Sequence, residues 1–111
     1  MTRQLRPHST RHGRTHELTV GPVRLCATVN RNESGLICEI FCKATGGWQG
    51  HIDRVCTMAS LVLQNGCSSD RIARHLLGDR TEPLGLAGQP LSIYDALGRV
   101  LKTEMEATTN E

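Results

Sequence analysis

Apolar side chains recur every second residue before Gly46 and every three to four residues after Gly50. That change of period divides the chain into a strand part and a helix part. In the first part Val23, Leu25, Ala27 and Val29 share one side, while Arg24, Cys26, Thr28 and Asn30 share the other. The turn formers Asn30-Arg31-Asn32-Glu33-Ser34-Gly35 follow, and a second run extends from Leu36 to Lys43. Two such runs around a short polar loop predict an antiparallel hairpin over about 23–43. A weaker strand signal precedes it around Glu17–Val20, and Thr45-Gly46-Gly47 ends the pattern.

In the second part Ile52, Val55, Cys56, Ala59, Val62 and Leu63 form an apolar stripe, predicting a helix over 51–64 that Asn65-Gly66 stops. Ser68 or Ser69 caps a short helix over 69–77, with Ile72, Ala73 and Leu76 as its inner face and Gly78 as its end. Two prolines and two glycines within 79–90 mark a loop. Ser92-Ile93-Tyr94-Asp95 then has capping-box spacing and opens a helix over 92–103 that turns Ile93, Ala96, Leu97, Val100 and Leu101 inward. The expected fold is α+β: a small antiparallel sheet with three helices packed on one face.

A chain of 111 residues has room for one such domain and excludes a large catalytic barrel or a doubly wound nucleotide fold. No apolar run approaches the ~18 residues of a membrane span. The start lacks the apolar core of a secretion signal, so the five cysteines are expected as thiols and the compartment as the cytoplasm. Residues 1–16 hold Arg3, Arg6, Arg11 and Arg14 with no acid. They imply a basic flexible arm over 1–17, a domain over 18–104 and a disordered tail over 105–111. His8, His12 and His16 have helical ligand spacing but no helix-forming context, so no metal is assigned there.

Neither a catalytic triad nor a carboxylate pair stands out, and no CxxC is present, so no catalytic residue and no zinc are expected. Cys56 lies on the long helix's inner stripe, as a small hydrophobe would. A hairpin centred on residues 32–33 sets Cys26 near Cys38 as a candidate thiol pair. Gly46-Gly47-Trp48 sits at a strand-to-helix junction, where backbone amides can meet an anion. With Arg24, Asn30 and Arg31 it supplies guanidinium, amides and an indole, a candidate nucleotide site.

Three blocks of the body resemble the TSCPD family, best known as the C-terminal domain of cobalamin-dependent (class II) ribonucleotide reductases. The first is Ala27-Thr28-Val29-Asn30 through Gly35, with Glu39-Ile40-Phe41 and Gly46-Gly47. The second is Ala59-Ser60-Leu61-Val62-Leu63 and Gly66, followed by Asp70-Arg71-Ile72 and Leu76-Leu77-Gly78. The third, Ser92-Ile93-Tyr94-Asp95-Ala96-Leu97, falls where the family has its name-giving Ser-Cys-Pro-Asp. Ile93-Tyr94 and Glu82-Pro83 stand where the family usually has Cys-Pro, so the cysteines linked to a metal or redox site are replaced.

The resemblance implies a stand-alone accessory domain of deoxyribonucleotide synthesis, related to the C-terminal part of ribonucleoside-diphosphate reductase. Such a piece would bind a reductase catalytic chain, a second copy of itself or a nucleotide, without catalysis of its own. Cobalamin would belong to a full-length reductase partner, and no cofactor is expected in this chain. A second reading is an independent oligomeric module that binds or sequesters nucleotide signals. A third is a non-functional gene fragment.

Overall fold

Strand alternation sets the first layer. In a computed structural model, which describes residues 12–109 with side chains through residue 107, β1 (His12–Val20), β2 (Val23–Arg31) and β3 (Ile37–Ala44) form an antiparallel sheet in the order β1-β2-β3. Val20 pairs with Val23 across the Gly21-Pro22 turn, where Gly21 takes a φ of 55°. In the second connection the Asn32 side chain accepts from the Ser34 and Leu36 amides, so the polar loop closes on itself. The β2–β3 register sets Leu25 opposite Ala44, Ala27 opposite Cys42 and Val29 opposite Ile40, and this face is buried. Thr28 and Phe41 meet on the opposite, exposed side. Gly13 has no side chain because Asn30 fills the space: a Cβ there would lie 1.9 Å from Asn30 Oδ1.

The helices cover the buried face. α1 (Gln49–Gln64) runs along β3, α3 (Ile93–Thr109) lies under β2 and β1, and α2 (Ser69–Leu76) packs mainly on α3. The α2–α3 approach is close at Gly98, where a Cβ would come within 2.9 Å of the Leu77 amide and 3.0 Å of Leu76 Cβ. Ile52, Cys56, Ala59 and Leu63 of α1 join Ile93, Ala96, Leu97, Val100 and Leu101 of α3 in one core.

Ser92 and Asp95 join three segments. Ser92 Oγ accepts from the Asp95 amide (3.1 Å) and donates to Asp79 Oδ2 (2.8 Å). The Asp95 carboxylate passes over the Ser92 amide of an ordinary capping box and accepts from the amides of Leu91 (2.8 Å) and Gly78 (2.9 Å). The end of α2, the 79–90 loop and the start of α3 are thereby held at one point. Asp79 receives the Thr81 amide as well as the Ser92 and Thr81 hydroxyls, which hold its carboxyl below the usual range.

Three sequence expectations change. The first strand begins at His12, so the last residues of the expected arm, 12–17, belong to the sheet. Residues 1–11, with Arg3, Arg6, His8 and Arg11, lie outside the described residues. α3 runs to Thr109, so residues 105–109 of the expected tail are helical, and 110–111 lie outside the described residues. Val62, placed on the inner stripe, is 39% exposed. Arg14 and His16 share a sheet side with core residues, which concealed β1; their partner is the buried Glu104.

Candidate functional site

The residues proposed to hold a nucleotide separate into two groups. Arg24 lies at one end of the sheet, where its amide and carbonyl bond Thr45 Oγ1 (2.9 Å) and the Thr45 amide (3.1 Å). Gly46, Gly47 and Trp48 follow directly, and both glycines are left-handed at φ 73° and 84°. Beside them Arg24 and Lys43 line a depression of about 560 Å³ shared with Glu17, Thr19 and Cys26. Trp48 packs partly against the core with its ring 5.5 Å from that of His51. Asn30 and Arg31 stand at the far end, about 20 Å along β2 at ~3.3 Å per residue. Asn30 Nδ2 donates to Glu39 Oε1 (2.8 Å), and Arg31 turns to the helix side. The six residues therefore do not form one site.

Arg31 is held by Glu104 of α3, which is 1% exposed. Arg31 Nη2 donates to the Glu104 backbone carbonyl (2.8 Å) and to Oε1 (3.3 Å). His16 Nε2 lies 2.6 Å from Oε2, and Arg14 Nε lies 3.5 Å from the same oxygen. A buried carboxylate needs such partners to offset its desolvation. The cluster fastens β1, β2 and α3 together.

The proposed Cys26–Cys38 pair is also separated. Cys26 faces Lys43, whereas Cys38 lies at the irregularity beside Asn30, about 13 Å along the strand. Cys38 is buried, with its thiol directed to the Asn30 carbonyl (3.6 Å). Cys42 and Cys56 lie on the core side, where burial above all pushes their thiols up to about 11 and about 12. These are poor nucleophiles and poor metal ligands at neutral pH. Among the described residues no three His, Cys, Asp or Glu side chains gather as a metal site, and no helix is long and apolar enough to cross a membrane. Ile93, which stands where the resemblance implies a cysteine, is wholly in the core.

The sequence reading missed a groove between α1 and α2. The stripe of α1 is wider than the sheet requires: while Ile52, Cys56 and Leu63 enter the core, Val55, Met58 and Val62 face Ile72 and Leu76 of α2 across a cavity of about 570 Å³. Met58 is 62% exposed. Arg54, Arg71 and His75 also line the groove, with no acidic residue among its lining. None of the three has an ion-pair partner among the described residues. The only sequence signal was the breadth of the stripe, which was assigned entirely to the sheet.

The TSCPD domain model matches residues 2–105 of the 111-residue chain. The chain belongs to the TSCPD domain family. No curated protein and no solved structure matches it. In this TSCPD domain, Ser92 and Asp95 of the name-giving motif hold the loop and α3 in place, while the two residues between them are Ile93 in the core and the half-buried Tyr94.

Proposed function

We propose that this TSCPD domain is an accessory, partner-docking piece of the ribonucleotide reductase system, with no catalysis of its own, and that the α1–α2 groove is its docking surface. The family association supports the system. The groove supports the mode of action: exposed Met58 and Val62 are flanked by Arg54, Arg71 and His75 with no acid between them. Such a surface recognises an amphipathic segment with acidic residues beside an apolar face, as in helix-in-groove recognition. The partner is a reductase catalytic chain presenting that segment.

Calorimetry of the full chain with a class II reductase catalytic chain that lacks this domain tests the reading. Saturable binding that weakens at least tenfold in Met58→Asp, and that weakens with added salt, is the expected result. Met58 is exposed, so the variant should keep its fold, as circular dichroism would verify. Absence of binding, or binding that Met58→Asp leaves unchanged, contradicts it.

A further inference from the structure

The two edges of the sheet are finished differently. On β3 the backbone groups that point away from β2 are occupied by side chains of α1. Gln49 accepts from the Ala44 amide (2.7 Å) and donates to the Cys42 carbonyl (2.8 Å), Ser60 takes both groups of Ile40, and Gln64 donates to the Cys38 carbonyl (3.2 Å). This edge cannot accept another strand. Its alternation carries across the sheet. Since Ile40, Cys42 and Ala44 turn outward, their partners Val29, Ala27 and Leu25 bond Arg14, His16 and Leu18 of β1. Gly13, Thr15, Glu17 and Thr19 must then direct their amides and carbonyls away from the sheet. Among the described residues no strand pairs with them. The strand is nine residues long, without proline, lysine or bulge, and its inward-pointing charges, Arg14 and His16, are held by Glu104 of the same chain.

We infer that β1 pairs antiparallel with β1 of a second copy of this chain across a two-fold axis at His16, making one continuous six-stranded sheet. The register is what identifies the occupant. His16 is the midpoint of His12–Val20, so this axis overlaps all nine residues of both strands. Thr15 then meets Glu17 of the second copy and Gly13 meets Thr19, each as a doubly hydrogen-bonded pair. All four outward-facing residues of each copy are satisfied, and the two-fold makes the contact closed. Between those rungs Arg14 faces Leu18, His12 faces Val20 and the two His16 meet at the axis, each beside its own Glu104, so no two carboxylates and no two arginines stand opposite. An axis one residue further along would instead set Glu17 against Glu17, which is unfavourable.

Sedimentation of the full chain at micromolar concentration tests this, with a dimer as the expected result. Thr15→Pro removes an outward amide that β2 does not use, and it should weaken the dimer more than tenfold with the circular dichroism spectrum retained. The register has its own signature. Thr15→Lys sets an ammonium opposite Glu17 of the second copy and should tighten the dimer, whereas Thr15→Glu sets a carboxylate there and should weaken it. A monomer across the concentration range overturns the inference. So does a dimer indifferent to Thr15→Pro, or one that Thr15→Lys and Thr15→Glu shift in the same direction. None of these outcomes bears on the α1–α2 groove, which lies on other elements.

Discussion

The hydroxyl of Ser60 stands where a neighbouring strand would stand for Ile40: it accepts from the Ile40 amide at 3.0 Å and donates to the Ile40 carbonyl at 2.9 Å. A helix residue thereby completes the ladder of a strand. Both backbone groups of Ile40 are withdrawn from water by α1, so their partner cannot be lost cheaply. Ser60→Ala should cost about 1–3 kcal/mol, the penalty of leaving buried polar groups unmet. Urea melts of the two proteins would measure it, and equal midpoints would contradict the role.

Adjacent residues of α1 should respond in opposite ways. Leu63 is 1% exposed in the core, so Leu63→Ala should cost about 2–5 kcal/mol. Val62 borders the groove, and Val62→Asp should stay within about 1 kcal/mol of the native protein. Thermal unfolding gives the order, and a Val62 variant less stable than the Leu63 variant would reverse the face assignment.

Most of the architecture was legible because it rests on local rules. Period two wrote β2 and β3, period 3.6 wrote the helices, and Gly66 and Ser92 marked helix ends. What was hidden depends on partners far along the chain. β1 reads as a polar arm because Arg14 and His16 are acceptable beside the core only with Glu104, 88 residues beyond His16. The groove was hidden for a related reason: periodicity shows that Val62 shares a stripe with Leu63 but not how wide the sheet beneath it is. The nucleotide residues were grouped by chemistry, and strand geometry then put Arg24 and Arg31 at opposite ends.

The Glu104 cluster gives a third expectation. Glu104→Ala leaves Arg31, His16 and Arg14 facing one another without their carboxylate, and should cost about 1–3 kcal/mol, since the cations left behind reach solvent. Arg31→Ala should also lower the midpoint, since its guanidinium is engaged within the fold. Chemical denaturation checks both, and an Arg31 variant as stable as the native chain would detach it from the cluster.

The thiols supply a fourth, with a definite sign in pH. Cys42 and Cys56 remain protonated in the fold up to about 11 and about 12, against 9.0 when unfolded. Above pH 9 the unfolded chain releases these protons first, so stability should fall as pH rises from about 9 towards 11–12. It should be insensitive to these groups below that window. At pH 8 a disulfide reagent should label Cys26 and Cys67, which are partly exposed, and spare Cys38, Cys42 and Cys56. Five equally fast thiols would contradict the packing.

A fifth expectation concerns metal. Ile93 fills a core position where the family usually has a cysteine, and Cys26 and Cys38 are separated along the sheet. Elemental analysis of the purified protein should therefore find zinc at far below one per chain. Stoichiometric zinc that survives dialysis against a weak chelator would require a site built elsewhere.

The knot formed by Ser92 and Asp95 carries a lesson about the family's four-letter signature. Its outer letters act as mortar, while its inner letters divide between a core side chain, Ile93, and the half-buried Tyr94. The outer pair ties Leu91, Gly78 and Asp79 to the start of α3, whereas the inner pair occupies the first turn of that helix, where even a proline is tolerated. A chain built this way holds the start of its helix by the outer pair, while whatever stands at Ile93 must fill the same space in the core.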